Sequence, residues 1–101
     1  MIFQVEISPS ALSDAENVFL WIQQQNLQKA SEWYNGFVDA ILSLETFPNR
    51  CTIAPESADV GREIRQLIYN KHRILFVVKE QVVQVLRVRH TAQDSISIDD
   101  L

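Results

Sequence analysis

Residues 62–90 read "REIRQLIYNKHRILFVVKEQVVQVLRVRH". The stretch divides at Asn70-Lys71 and again at Lys79-Glu80-Gln81 into three runs of alternating character. In the first, Ile64, Gln66 and Ile68 oppose Arg65, Leu67 and Tyr69. In the second, Ile74, Phe76 and Val78 oppose Arg73, Leu75 and Val77. In the third, Val82, Gln84, Leu86, Val88 and His90 oppose Val83, Val85, Arg87 and Arg89. Period two with polar turns predicts three antiparallel strands in a meander. Both faces carry apolar residues, so one face is covered and the other partly occupied.

Upstream, "IFQVEI" (2–7) alternates in the same way and predicts a strand with one buried face. Ser8-Pro9 ends it and starts a helix: the serine hydroxyl can accept an orphan amide, and proline at the first helical position gives up no hydrogen bond. Leu12, Ala15, Val18, Phe19 and Ile22 then make one helical stripe, ending near Gln25-Asn26. A second stripe runs from Leu27 through Ala30, Trp33, Tyr34, Phe37, Ile41, Leu44 and Phe47 to the stop at Pro48-Asn49. So short a connection predicts an antiparallel helical hairpin. Residues 48–61 form a loop with room for one helical turn. The order β-α-α-β-β-β predicts a single α+β domain over 1–101, a helical hairpin packed on a small, mainly antiparallel sheet.

The chain has 101 residues, 47% hydrophobic and 22% charged, which suits one compact domain. Its single cysteine, Cys51, makes no intrachain disulfide and fits a reducing cytoplasm. The N-terminus has no basic region and no long apolar stretch, so it reads as no signal peptide, and no apolar run is long enough for a membrane span. The two histidines, His72 and His90, have no metal-ligand spacing, and two glycines cannot build a phosphate loop. No metal and no cofactor is expected.

Net charge is −4, unevenly spread. Residues 1–49 carry six acidic side chains against Lys29 alone, whereas residues 50–101 are balanced at +1. On strand parity Arg65, Arg73, Arg87 and Arg89 are expected to converge on one sheet face, with His90 at the strand end. Guanidinium groups suit bidentate recognition of carboxylate or phosphate. The alternative is pairing with Glu63, Glu80 or Asp94, contributing about 0–1 kcal/mol per pair. Trp21 lies off the stripe of its helix; it and Trp33 are the exposed aromatic candidates for a partner interface.

These features together resemble the RelE/ParE toxin superfamily of type II toxin–antitoxin (plasmid stabilisation) pairs. "SPSALSDAENVFLWI" is similar to the family's first helix and "KASEWYNGFVDAILSLETFP" to its second. The most specific part is the Gly-x-x-x-Arg strand, the Arg-Ile-x-x-x-Val strand and the closing Val-x-His-x-x-x-Asp within Gly61–Asp94. The resemblance implies a cognate antitoxin, and a homodimer or a larger toxin–antitoxin assembly stays open. It implies one of two targets. RelE-like members are ribosome-dependent mRNA endonucleases, for which Arg65 and His90 would be the catalytic candidates. ParE-like members poison DNA gyrase and are not nucleases. The chain has no tyrosine after Tyr69, its tail "SISIDDL" is acidic, and "RHTAQD" is more like the ParE branch, so the expectation is a non-catalytic, cytoplasmic, ParE-like toxin. The sequence pI near 5.0 departs from the usually basic family and leaves a third reading, a non-toxic module that binds antitoxin.

Overall fold

The computed structural model describes residues 2–92. Asp94, which closes the family-like motif, and the acidic tail lie outside the described residues. Strand β1 (Gln4–Ile7) leads into helix α1 (Pro9–Gln23) and helix α2 (Leu27–Ser43). A single 3-10 turn (Pro48–Arg50), a two-residue strand β2 (Thr52–Ile53) and a short helix α3 (Glu56–Val60) follow. Strands β3 (Arg65–Tyr69), β4 (His72–Lys79) and β5 (Val82–His90) complete the described chain. The sheet order is β1-β5-β4-β3-β2, antiparallel except that β1 runs parallel to β5. The α+β hairpin-on-sheet architecture is the one the sequence predicts; β2 and α3 add structure within the expected loop.

Both helices begin as their sequences dictate. Ser8 caps α1 by accepting from the Ala11 amide at 3.0 Å, with Pro9 in the first turn. Asn26 caps α2 by accepting from the Lys29 amide. Helix α2 ends at Ser43, short of the expected stop at Pro48-Asn49. There Arg50 folds back and donates to the carbonyls of Ser43, Thr46 and Phe47, satisfying the acceptors that a helix end leaves open. Phe47 takes a left-handed conformation (φ 48°) and points into solvent, not into the core.

The main core lies between the hairpin and one sheet face. Ala11, Ala15, Trp33, Phe37, Ile41 and Leu44 meet Ile74, Phe76, Val83, Val85 and Val88 there. Glycine at position 36 has a specific reason: a Cβ there would stand 2.2 Å from the Tyr69 hydroxyl, which donates to the Trp33 carbonyl at 2.8 Å. A second, smaller core of Ala54, Ile64, Leu75 and Val77, with Val60 and Leu86 beside it, fills the opposite face under α3. Ser57 fastens that cover, bonding both the amide and the carbonyl of Ile64 at 2.8 Å.

Candidate functional site

The register of β5 against β4 decides where the cationic side chains go. Val85 pairs with Phe76 and Arg87 with Leu75, so Leu86 is the extra residue of a β-bulge. Val83 and Val85 face the hairpin; after the bulge Val88 does, and Arg87 and Arg89 turn to the outer face. Helix α1 holds the irregularity. The Ser8 hydroxyl donates to the Leu86 carbonyl at 2.8 Å, and the Ser8 amide donates to the Val85 carbonyl. Asp14 accepts from the Val88 amide at 3.0 Å and from Arg87 Nε and Nη2 at 2.8 and 3.0 Å.

Arg73 lies directly opposite Arg89 and next to the Leu75–Arg87 pair, so Arg73, Arg87 and Arg89 do share the outer face. Arg65 does not. It pairs with Phe76, whose side chain is in the hairpin-facing core, and it stands on that side of the sheet. There it donates to the carbonyls of Asn49 and Cys51 and pairs with Glu63. The expected convergence of all four is therefore corrected to three: the tight turn pairs Tyr69 with His72, which sets Arg65 opposite Phe76 and on the other face from Arg73, while the bulge brings Arg87 and Arg89 to Arg73's side. Carboxylates also occupy two of the three. Arg73 pairs at 2.6 Å with Glu56, whose side chain is fully buried, and donates to Gln66 at 2.9 Å; Arg87 is held by Asp14. Arg89 has a buried Nε without a hydrogen-bond partner.

His90 faces the other way, toward the helices. It pairs across the strands with His72, ring against ring at 5.3 Å, and His72 packs edge-on against Trp33 at the same distance. Burial lowers the pKa of His72 below its ordinary value, and the neighbouring His90 lowers it further. His90 Nδ1 accepts from the Ala92 amide at 3.0 Å. Above these rings lies a groove of about 850 Å³ between α1, the start of α2, the β3–β4 turn and the end of β5. Val18, Trp21, Ile22 and Trp33 give it apolar walls, and Asn17, Asn70, Lys71, His72 and His90 a polar side.

Trp21 stands at the groove's lip, 63% exposed. Trp33 is not exposed: at 7% it is a core residue, stacked on Phe37 and tilted against Tyr69. It belongs to the inward stripe of α2 with Ala30, Phe37 and Ile41, a periodicity that favours the core over an interface. Though buried, it also lines the groove. Sequence reasoning missed His72, Asp14 and Glu56. His72 has a readable signal, since it opens β4 at the position opposite His90. The distant ion pairs Asp14–Arg87 and Glu56–Arg73 leave no local trace. Among the described residues no group of three or more His, Cys, Asp or Glu side chains could hold a metal ion, and no helix is long and apolar enough to cross a membrane.

Comparison with known proteins agrees with this architecture. The chromosomal ParDE toxin–antitoxin system of P. aeruginosa contains a chain that superposes with a TM-score of 0.71 at 17% identity, over 88% of this chain and 96% of that one. The toxin–antitoxin complex RelBE2 from Mycobacterium tuberculosis gives 0.57 at 18% identity, over 89% and 99%. At such identities the likeness establishes the fold alone. No curated protein matches the sequence significantly. The family model for the ParE toxin of the type II toxin–antitoxin system parDE matches residues 5–95. With nearly the whole chain matched, strand β1 through the bulged strand β5, the chain belongs to the ParE toxin family of type II toxin–antitoxin systems.

Proposed function

We propose that this chain is the toxin of a ParE-type pair, neutralised by a cognate antitoxin and acting by binding a target such as DNA gyrase, not by cutting RNA. The family match over residues 5–95 carries the reading. The disposition of the polar groups supports its non-nucleolytic half. Cleavage through a 2′-hydroxyl needs a base, an acid and cations around one phosphate. Arg65 and His90 stand well apart: Arg65, level with Phe76 and Val85 at mid-strand, is four residues from Tyr69, the β3 residue in line with His72 and His90, or about 13 Å along the strand. Arg73 and Arg87, on the outer face, are engaged by buried or half-buried carboxylates.

Induction of the chain without its antitoxin tests the proposal. The expected result is growth arrest with blocked DNA replication, inhibition of purified gyrase, intact messages, and rescue by the antitoxin. Codon-specific message cleavage that depends on His90 or Arg65 would instead establish the RelE-like endonuclease. Tight antitoxin binding without arrest would establish the non-toxic module.

A further inference from the structure

Among the described residues three buried side-chain nitrogens lack a hydrogen-bond partner: Trp33 Nε1, His72 Nδ1 and Arg89 Nε. Folded proteins leave few such atoms unpaired, because each costs free energy until something pairs with it. All three belong to residues lining one continuous depression. Trp33 and His72 border the groove described above; His72 and Arg89 border an adjoining cleft of about 250 Å³. The two share Asn17, Val18, His72 and His90.

The charges of this depression are one-sided. Among the described residues the groove is lined by the cationic Lys71 and by no carboxylate, in a chain of net charge −4. Asp14 borders the cleft, but Arg87 and the Val88 amide take both its oxygens. Arg89 faces Arg73 directly across the strands, a like-charge pairing that disfavours the sheet, and Arg73 is the one that pairs with Glu56 in an ion pair.

We infer that the depression binds a segment of a partner protein in which an acidic side chain sits beside aromatic or aliphatic ones, the carboxylate pairing with Arg89 and its apolar neighbours filling the groove under Trp21. A protein segment fits better than a small molecule, because Trp21 and Leu20 extend apolar surface beyond the groove, 63% and 53% exposed. It fits better than a nucleic acid, because the walls formed by α1 and α2 belong to the half of the chain that carries six acidic residues and one lysine. The inference deepens the toxin–antitoxin reading and rests on it for the partner's identity; the preference for a carboxylate does not depend on it.

The probe is an acetylated, amidated tripeptide, tryptophan–glutamate–leucine, titrated into the isotope-labelled protein. The same peptide with glutamine, and inorganic phosphate, serve as comparisons. The glutamate peptide shifts the indole signals of Trp21 and Trp33 and the Nε–H signal of Arg89, and binds roughly tenfold tighter than the glutamine peptide. Arg89→Gln reduces that preference below about twofold, while Arg89→Lys keeps a native spectrum and a preference of at least about threefold. Equal binding of the two peptides, or unmoved indole signals, overturns the inference. So does displacement of the glutamate peptide by an equal concentration of phosphate, which would mark a nucleic-acid surface. Failure here with growth arrest intact discards the site and keeps the toxin reading; glutamate preference without any toxicity does the reverse.

Discussion

Arg87 and Asp14 form a two-pronged ion pair, Nε and Nη2 to the two carboxylate oxygens at 2.8 and 3.0 Å, that ties strand β5 to helix α1 one residue past the bulge at Leu86. The same carboxylate accepts the Val88 amide, so one side chain satisfies both a guanidinium and a backbone donor beyond the end of β1. Both partners are mostly shielded, with side chains 17% and 15% exposed. Loss of Asp14 therefore strands two donors at once. Asp14→Ala is expected to cost about 3 kcal/mol in urea unfolding, and Asp14→Asn less, because the amide oxygen still receives Val88. Equal losses for the two variants would mean that the backbone bond contributes nothing.

Glu56 and Arg73 offer a sharper case, since the glutamate side chain is fully buried. Removing one partner leaves the other charged in an apolar setting beside Leu75 and Val77. Either Glu56→Ala or Arg73→Ala should destabilise by about 3–5 kcal/mol. Replacing both with methionine should recover most of that loss, since a buried ion pair gains little over well-packed apolar side chains. A double variant as unstable as the single ones would show that the pair supplies packing specificity methionine cannot replace.

Position 36 tests the contact between helix α2 and the sheet. Alanine gains about 1 kcal/mol over glycine in a helix interior. Here the new methyl group would meet the Tyr69 hydroxyl, so Gly36→Ala should still be destabilising, by about 1–3 kcal/mol. Tyr69→Phe removes the oxygen nearest to that methyl. In a double-mutant cycle the Gly36→Ala penalty should shrink on the phenylalanine background; additive losses would place the strain elsewhere.

The depressed pKa of His72 fixes the sign of one pH effect. Burial and the nearby His90 keep the folded imidazole neutral below its ordinary value of 6.5, whereas the unfolded chain protonates near that value. In this window the unfolded state binds more protons, so stability falls as pH drops from about 6.5 toward the folded pKa. The urea midpoint should therefore decrease between pH 7 and pH 5.5, and His72→Gln should flatten the slope. An unchanged slope would remove the burial account.

Cys51 is buried, and burial pushes its thiol up from the ordinary value of 9.0, against the lowering influence of Arg50 and Arg65. Its thiolate fraction at neutral pH is small and its access poor. Reaction with a disulfide reagent should be slow in the native protein and accelerate with unfolding; immediate native labelling would contradict this.

The meander and the helical hairpin are legible from the sequence because their signals are local. Asn70-Lys71 and Glu80-Gln81 turn where polarity breaks the alternation, and Asn70 and Glu80 take positive φ there. The α2 stripe from Ala30 to Leu44 is inward as its period implies. What escapes depends on pairing across the fold. Nothing in "VQVLRVRH" marks Leu86 as unpaired; the bulge is fixed by Ser8 and Asp14, more than seventy residues away in the chain. That one insertion moves Arg87 and Arg89 to the outer face, while Arg65 stays on the inner one. Trp33 sits on the apolar stripe of α2, and that period, not its aromatic character, is the guide to its burial. The parallel course of β1 follows from the two-helix crossover and not from its own residues.

That parallel pairing sets an order of events for newly made chains. Gln4 to Ile7 find their only described strand neighbours at Val82 to Val85, so the opening strand has nowhere to dock until synthesis has passed almost to the far end. Assembly is thus a late, long-range closure, slower than hairpin formation. A nascent polypeptide halted before Val82 could fold its helices, but the layer beneath them would be missing one entire margin.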